Sequence, residues 1–147
     1  MRSALPMFLV RLMIGAIFVL EGLLKILQPA AWGAERFAAL GIPWPQTLAP
    51  VVGSLEIGGG LALILNFCAG ESALLLLAMM IGALISTKFP ILLDRPLGPF
   101  HHAPSEATGW IPFLHEARLD FAMLLGTLAI AIDSGLRFFR QKEWYSR

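Results

Sequence analysis

Four stretches of the chain are apolar for long enough to cross a bilayer, roughly residues 6–27, 47–67, 71–89 and 117–138, and between them the sequence turns polar, aromatic and rich in proline. A spanning helix needs about 20 consecutive apolar residues, and no alternating strand pattern or internal repeat competes with that reading. The pattern predicts an all-α integral membrane protein, a single domain over residues 1–147 built as a four-transmembrane-helix bundle. Only residues 68–71 separate the second and third stretches, which forces an antiparallel hairpin there. The loops over 28–46 and 90–116 then lie together on the opposite side.

Residues 30–40 carry Trp32, Phe37 and Leu40 on one side and Glu35 and Arg36 on another, the pattern of a short helix lying in the membrane interface. Gly41 is expected to end it, and Pro43 and Pro45 to lead the chain into the second span in extended form. Pro96, Gly98, Pro99 and Pro104 predict an irregular third loop, before residues 110–114 return to the membrane surface. Arg2, Arg137, Arg140, Lys142 and Arg147 weight the terminal side with positive charge against Arg36, Arg95 and Arg118 on the long-loop side. The positive-inside rule then places both termini in the cytoplasm. In a bacterial inner membrane the long loops would face the periplasm, with Trp32, Trp44 and Trp110 as half of an aromatic belt. The first apolar stretch is interrupted by Arg11, Glu21 and Lys25 and is too long for the core of a secretory signal, so it reads as a retained helix.

Composition supports this and narrows the function. The chain is 57% hydrophobic and 14% charged, with a mean hydropathy of +0.74, more apolar than a soluble domain of 147 residues can bury. A net charge of +1, without basic runs interleaved with aromatics, excludes a nucleic-acid binder. Cys68 is the single cysteine, so neither an intramolecular disulfide nor a CxxC redox motif is available, and no covalent cofactor is implied.

The chemistry lies in charges placed where charges are expensive. Glu56 sits near the centre of the second span, where an acidic residue costs roughly 2.5–3.5 kcal/mol, so the helix is expected to turn it inward toward a partner. Glu21 and Lys25 are one helical turn apart in the outer part of the first span. Lys88 closes the third span, and Glu116, Arg118 and Asp120 open the fourth. Together these residues predict a buried charge network in the outer half of the bundle. Arg11 joins it on the face of the first span where Arg11, Phe18 and Lys25 recur every seven residues beside Gly15 and Gly22, and it also falls at the depth of Asp133 as an inner ion pair. Such charges can simply lock four helices in register. They can equally line a polar pocket for the head group of a quinone or another amphiphile, a bound lipid included, with carboxylates that exchange protons with it.

His101 and His102 are adjacent in a proline-rich loop and His115 opens the last span; none lies inside a span, which argues against haem or a metal site. Together with Trp110, His101 and His102 are better placed as contacts for a partner protein. Cys68 reads as packing at a helix end, and Gly58, Gly59 and Gly60 as positions of close helix approach.

Arg11-x3-Gly15 followed by Gly22-x2-Lys25, then Phe37-x3-Gly41-Ile42-Pro43, then Glu56-x2-Gly59-Gly60-Leu61 together resemble the DoxX/DoxD family of small four-helix membrane proteins, over nearly the whole chain. The resemblance implies membrane oxidoreduction: DoxD-type proteins form a subunit of a thiosulfate:quinone oxidoreductase, and DoxX proteins are linked to redox-stress complexes. It marks Arg11, Lys25 and Glu56 as family-pattern positions. Two departures stand out. Asp133-Ser134-Gly135-Leu136-Arg137 replaces the Gly-x-Gly and Ser-x-x-Asp endings common in the family, and the third loop is longer than a minimal member needs, which suggests a docking surface.

The expected function is a membrane subunit of a larger redox or energy-converting complex, associated with lipids and other membrane subunits and holding quinone or lipid in its charged pocket. No self-contained catalytic motif is present. The alternatives are a structural or assembly subunit and a transporter of a small hydrophobic solute; the last would need two access states, and neither an inverted repeat nor an interrupted helix is visible in the sequence.

Overall fold

A computed structural model describes residues 5–102 and 107–145, with side chains through residue 135. The basic residues on which the orientation rests, Arg2, Arg137, Arg140, Lys142 and Arg147, fall outside the described side chains. The elements are α1 (Leu5–Leu27), α2 (Ala34–Ala39), α3 (Pro45–Leu65), α4 (Ala69–Ala83), a π-helical turn (Leu84–Lys88), α5 (Phe89–Leu93) and α6 (Trp110–Tyr145). Among the described residues the architecture is all-helical, with only an isolated bridge between Leu97 and Phe100. Three helical stretches, Leu5–Leu27, Pro45–Leu65 and Ala69–Leu93, are long and apolar enough to cross a membrane. The fourth long helix, α6, packs chiefly on α4, while α1 packs chiefly on α3; α3–α4 and α1–α6 contacts close the bundle.

Bare backbone joins α1 to α3. A Cβ built on Gly15 would come 2.6 Å from the Gly60 carbonyl oxygen, and one on Gly60 would come 2.6 Å from that of Gly15. Seven residues along, Gly22 faces Gly53 in the same way, where a Cβ on Gly53 would meet the Gly22 oxygen at 2.9 Å. These two pairs, in antiparallel order, set the register. Gly59 instead faces Leu76 of α4, and Gly58, expected to share in the close approach, meets nothing within 4 Å. Ile14, Phe18, Leu63, Leu76, Met80, Met123 and Ile130 fill the core between the two helix pairs. Leu20, Leu61, Leu74 and Leu125 stand exposed on the outside of the four long helices, an apolar exterior suited to lipid rather than water.

The helix ends differ from the apolar pattern for local reasons. Pro45 does not precede α3 in extended form but opens it, behind Trp44 in the left-handed conformation (φ 46°). Asn66, also left-handed (φ 57°), stops α3 two residues early, with the Phe67 N–H returning to the Ala62 carbonyl, so the α3–α4 hairpin turns on residues 66–68. At the other boundary the third stretch does not end at Phe89. Proline removes an N–H and crowds the carbonyl four residues earlier, and the helix accommodates Pro90 by widening into the π turn just before it. There the Phe89 N–H reaches back five residues to Leu84, and the Thr87 and Ser86 hydroxyls donate to the Ala83 and Gly82 carbonyls at 2.7 and 2.8 Å. The helix then runs on to Leu93. An interrupted helix is therefore present, contrary to the expectation from the sequence. Helix α6 in turn begins at Trp110, with the Gly109 N–H on the Ile91 carbonyl at 2.8 Å, rather than at residue 117.

Candidate functional site

On α1, Glu21 and Lys25 are neighbours at i, i+4, and Lys25 Nζ lies 3.4 Å from Glu21 Oε2. Its nearer partner is across the helix pair: Glu56 Oε2 of α3 is 2.8 Å away, in an ion-pair contact not aligned as a hydrogen bond. The glycine pairs explain why these two meet. Gly53 leaves room for the base of the Lys25 side chain, whose Cβ would be 3.3 Å from a Cβ at that position, and Glu56 is one turn further along α3. Side chains lean toward their own helix N-terminus, so on antiparallel helices the lysine and the glutamate lean toward one another. Glu56 is thereby 8% exposed and facing inward, as a carboxylate in mid-span requires.

The opposite wall repeats the motif with different parts. Lys88, the last residue of the π turn, lies 3.6 Å from Glu116 Oε2 and 3.9 Å from Asp120 Oδ2, which are one turn apart on α6. In an uninterrupted helix Lys88 would stand about 80° around from the buried Met80. The π turn inserts one residue and takes back about 100°, bringing Lys88 onto the interior face.

Both clusters line one cavity of about 560 Å³. Its charged lining is Glu21, Lys25, Arg36, Glu56, Lys88, Glu116 and Asp120; the remainder is largely apolar, including Leu40, Val52, Met79, Leu119 and Met123. Asp120 interacts electrostatically with Lys88, Glu21, Glu116 and Lys25, so the two walls share one field. Helix α2 and the third loop cover this end. Gly41 (φ 74°) ends the α2 segment and receives the third loop, with a Cβ there only 2.9 Å from His101 Nε2, and the His101 N–H donates to the Leu40 carbonyl at 3.0 Å. Phe100 is thereby carried onto the cavity wall. The α2 helix is shorter than residues 30–40, and its two sides are not segregated as expected: Arg36 stacks over Trp32 at 5.2 Å, and both line the cavity with Phe37 and Leu40.

Six of the eight residues assigned to the outer network from the sequence, Glu21, Lys25, Glu56, Lys88, Glu116 and Asp120, do converge. Arg11 and Arg118 do not. Arg11 is 14 residues from Lys25 on α1, about 21 Å along the axis, and its Nη1 donates to Asn66 Oδ1 at the other end of α3, 2.7 Å away. Ser134, next to Asp133, lies opposite Gly70 near that same end. Arg118 is two residues from both Glu116 and Asp120, hence about 200° around the helix from each, and its Nη1 donates to the His115 carbonyl on the exposed side. Of the residues assigned to partner contact, Trp110 and His101 are exposed and His102 is half-buried. His115 is exposed with Nδ1 3.6 Å from Glu116 Oε1, and among the described residues no three His, Cys, Asp or Glu side chains are grouped as metal ligands. The sequence reading missed Ser86 and Thr87, whose adjacency to Lys88 inside an apolar run was a usable signal, and Phe100, which nothing local marks.

The DoxX family profile matches residues 7–88, more than half of the chain. The match takes in both lysines of the cavity and ends before α6. An uncharacterized membrane protein of Mycobacterium tuberculosis is 34% identical over 119 residues, covering 81% of this chain and 69% of that protein. No solved structure matches. With the apolar helices and the apolar exterior of the bundle, these findings identify an integral membrane protein, and the chain belongs to the DoxX family.

Proposed function

We propose that this protein spans the bilayer with four helices, α6 being the fourth, and serves as a subunit of a larger redox or energy-converting membrane complex. Its cavity holds the head group of an amphiphile, a quinone or a lipid. In this reading both termini are cytoplasmic, α2 lies at the outer interface of a bacterial inner membrane, and the third loop with His101, His102 and Trp110 meets a partner subunit. The observation that carries it is the cavity: four carboxylates and three cations from α1, α2, α3, the π turn and α6 converge on one space whose remaining walls are largely apolar. That combination of polar contacts and apolar walls is what a site for an amphiphilic ligand provides.

Purification of the tagged protein from its native membrane in mild detergent tests this, with partner identification and quinone and lipid extraction on the same chromatographic peak. Quinone or a defined lipid at near-stoichiometric amounts, together with redox partners, is the expected result. Stoichiometric partners with an empty cavity would instead support an assembly subunit, a reading favoured by the glycine-mediated α1–α3 contact and the Lys25–Glu56 pair, which hold the bundle in register without any ligand.

A further inference from the structure

The two lysines of the cavity are equally withdrawn from solvent, their side chains 14% (Lys25) and 13% (Lys88) exposed, yet their donors are unequally engaged. Lys25 Nζ donates to Glu21 Oε2 at 3.4 Å and to the Glu21 carbonyl at 3.5 Å, and its charge is paired with Glu56 Oε2 at 2.8 Å. Lys88 Nζ is 3.6 and 3.9 Å from its carboxylates, both beyond hydrogen-bonding distance, and among the described residues no carboxylate comes closer. The hydroxyls nearest in sequence, Ser86 and Thr87, donate to the Gly82 and Ala83 carbonyls. Among the described residues the Lys88 ammonium therefore has no carboxylate within hydrogen-bonding distance, and its donors are open to another acceptor. Because Lys88 forms part of the cavity wall, an occupant of that cavity can supply the missing acceptor.

We propose that Lys88 is the donor that holds the occupant of the cavity, and that the head group it holds is an uncharged oxygen acceptor, a carbonyl in the simplest case, carried on an apolar body. This rests on the cavity being the amphiphile site. The charge of the head group follows from the lining. An anion would enter beside Glu21, Glu56, Glu116 and Asp120, against three cations of which Lys25 is already engaged and Arg36 is stacked on Trp32. A cationic head group would meet Lys88 itself and bring it no acceptor. A neutral oxygen satisfies the ammonium without adding a charge to a space of low dielectric.

The full chain in nanodiscs of zwitterionic phosphatidylcholine can be titrated with a decyl-substituted benzoquinone and, separately, with a short-chain phosphatidylglycerol, bound ligand being counted by native mass spectrometry. The wild type is expected to take the quinone in preference to the anionic lipid. Lys88→Met is expected to weaken quinone binding at least tenfold at unchanged helicity. Should that variant not fold, Lys88→Met/Asp120→Asn, which also removes a facing charge, carries the same expectation, and the wild-type preference is an independent measure. Undiminished quinone binding in the Lys88 variant that folds, or a wild-type preference for phosphatidylglycerol, overturns the proposal and leaves the cavity reading standing. Val52→Trp, which fills the apolar wall, separates the two ideas: if it leaves the binding of both ligands unchanged, or if the wild type binds neither, the cavity reading falls and this one falls with it.

Discussion

The α1–α3 wall and the wall formed by the π turn and α6 each place one lysine between two carboxylates, but they are built to different tolerances. On the first, backbones touch at Gly15–Gly60 and Gly22–Gly53, and the ion pair closes to 2.8 Å with Glu56 buried. On the second, a widened helical turn faces α6, the pairs stay at 3.6 and 3.9 Å, and the Glu116 side chain is 43% exposed. Close packing makes a charge pair part of the fold; looser packing leaves a charge available to something else. Under the proposed function, the first wall is structural in consequence and the second is the side on which the ligand acts.

The largest expected effect is at the tight pair. Lys25→Met leaves Glu56 in mid-span without its cation, a loss of about 3–5 kcal/mol, visible as a lower unfolding midpoint and folded yield in detergent. Adding Glu56→Gln to that variant should recover most of the loss. A single variant as stable as the wild type would erase the contrast between the walls. Next comes the backbone contact that supports the pair: Gly60→Leu forces α1 from α3 and should cost about 1–3 kcal/mol, measured by denaturant titration in mixed micelles. Lys88→Met, by contrast, should change stability by only about 0–1 kcal/mol in the same titration, because its partners are distant and partly solvated, even as ligand binding falls. A loss as large as that of Lys25→Met would mean that the second wall is structural too. Smallest of all, Gly58→Ala meets no atom within 4 Å and removes a poor helix former, so it should raise stability by up to about 1 kcal/mol.

The charged site was legible where chemistry and local register coincide. Glu56 is an isolated carboxylate in an apolar run, and Glu21 with Lys25, and Glu116 with Asp120, are i, i+4 pairs whose common face follows from helix geometry alone. The same geometry already separates Arg118 from Glu116 and Asp120 and turns it off the face they share. Arg11 was misplaced because a seven-residue spacing describes a face and not a depth: it shares the face of Lys25 but lies near the opposite end of the helix, where Asn66 is its acceptor.

Long apolar runs are read directly from the chain, since a helix satisfies its own backbone groups and can enter lipid whatever its neighbours are. Membrane residence, the helical class, the α3–α4 hairpin and the inward demand of Glu56 all follow from that. Other features depend on pairs of segments distant in sequence. Pro90 permits a kink, a break or a π turn, and only the folded structure shows the turn that brings Lys88 to Glu116 and Asp120. Gly41 marks a helix end, but only the seating of His101 on it carries Phe100 to the cavity. Hydrophobicity is a property of each residue and can be summed along a chain. A cavity is a property of the gap between elements, and its volume and charge exist only once those elements have packed.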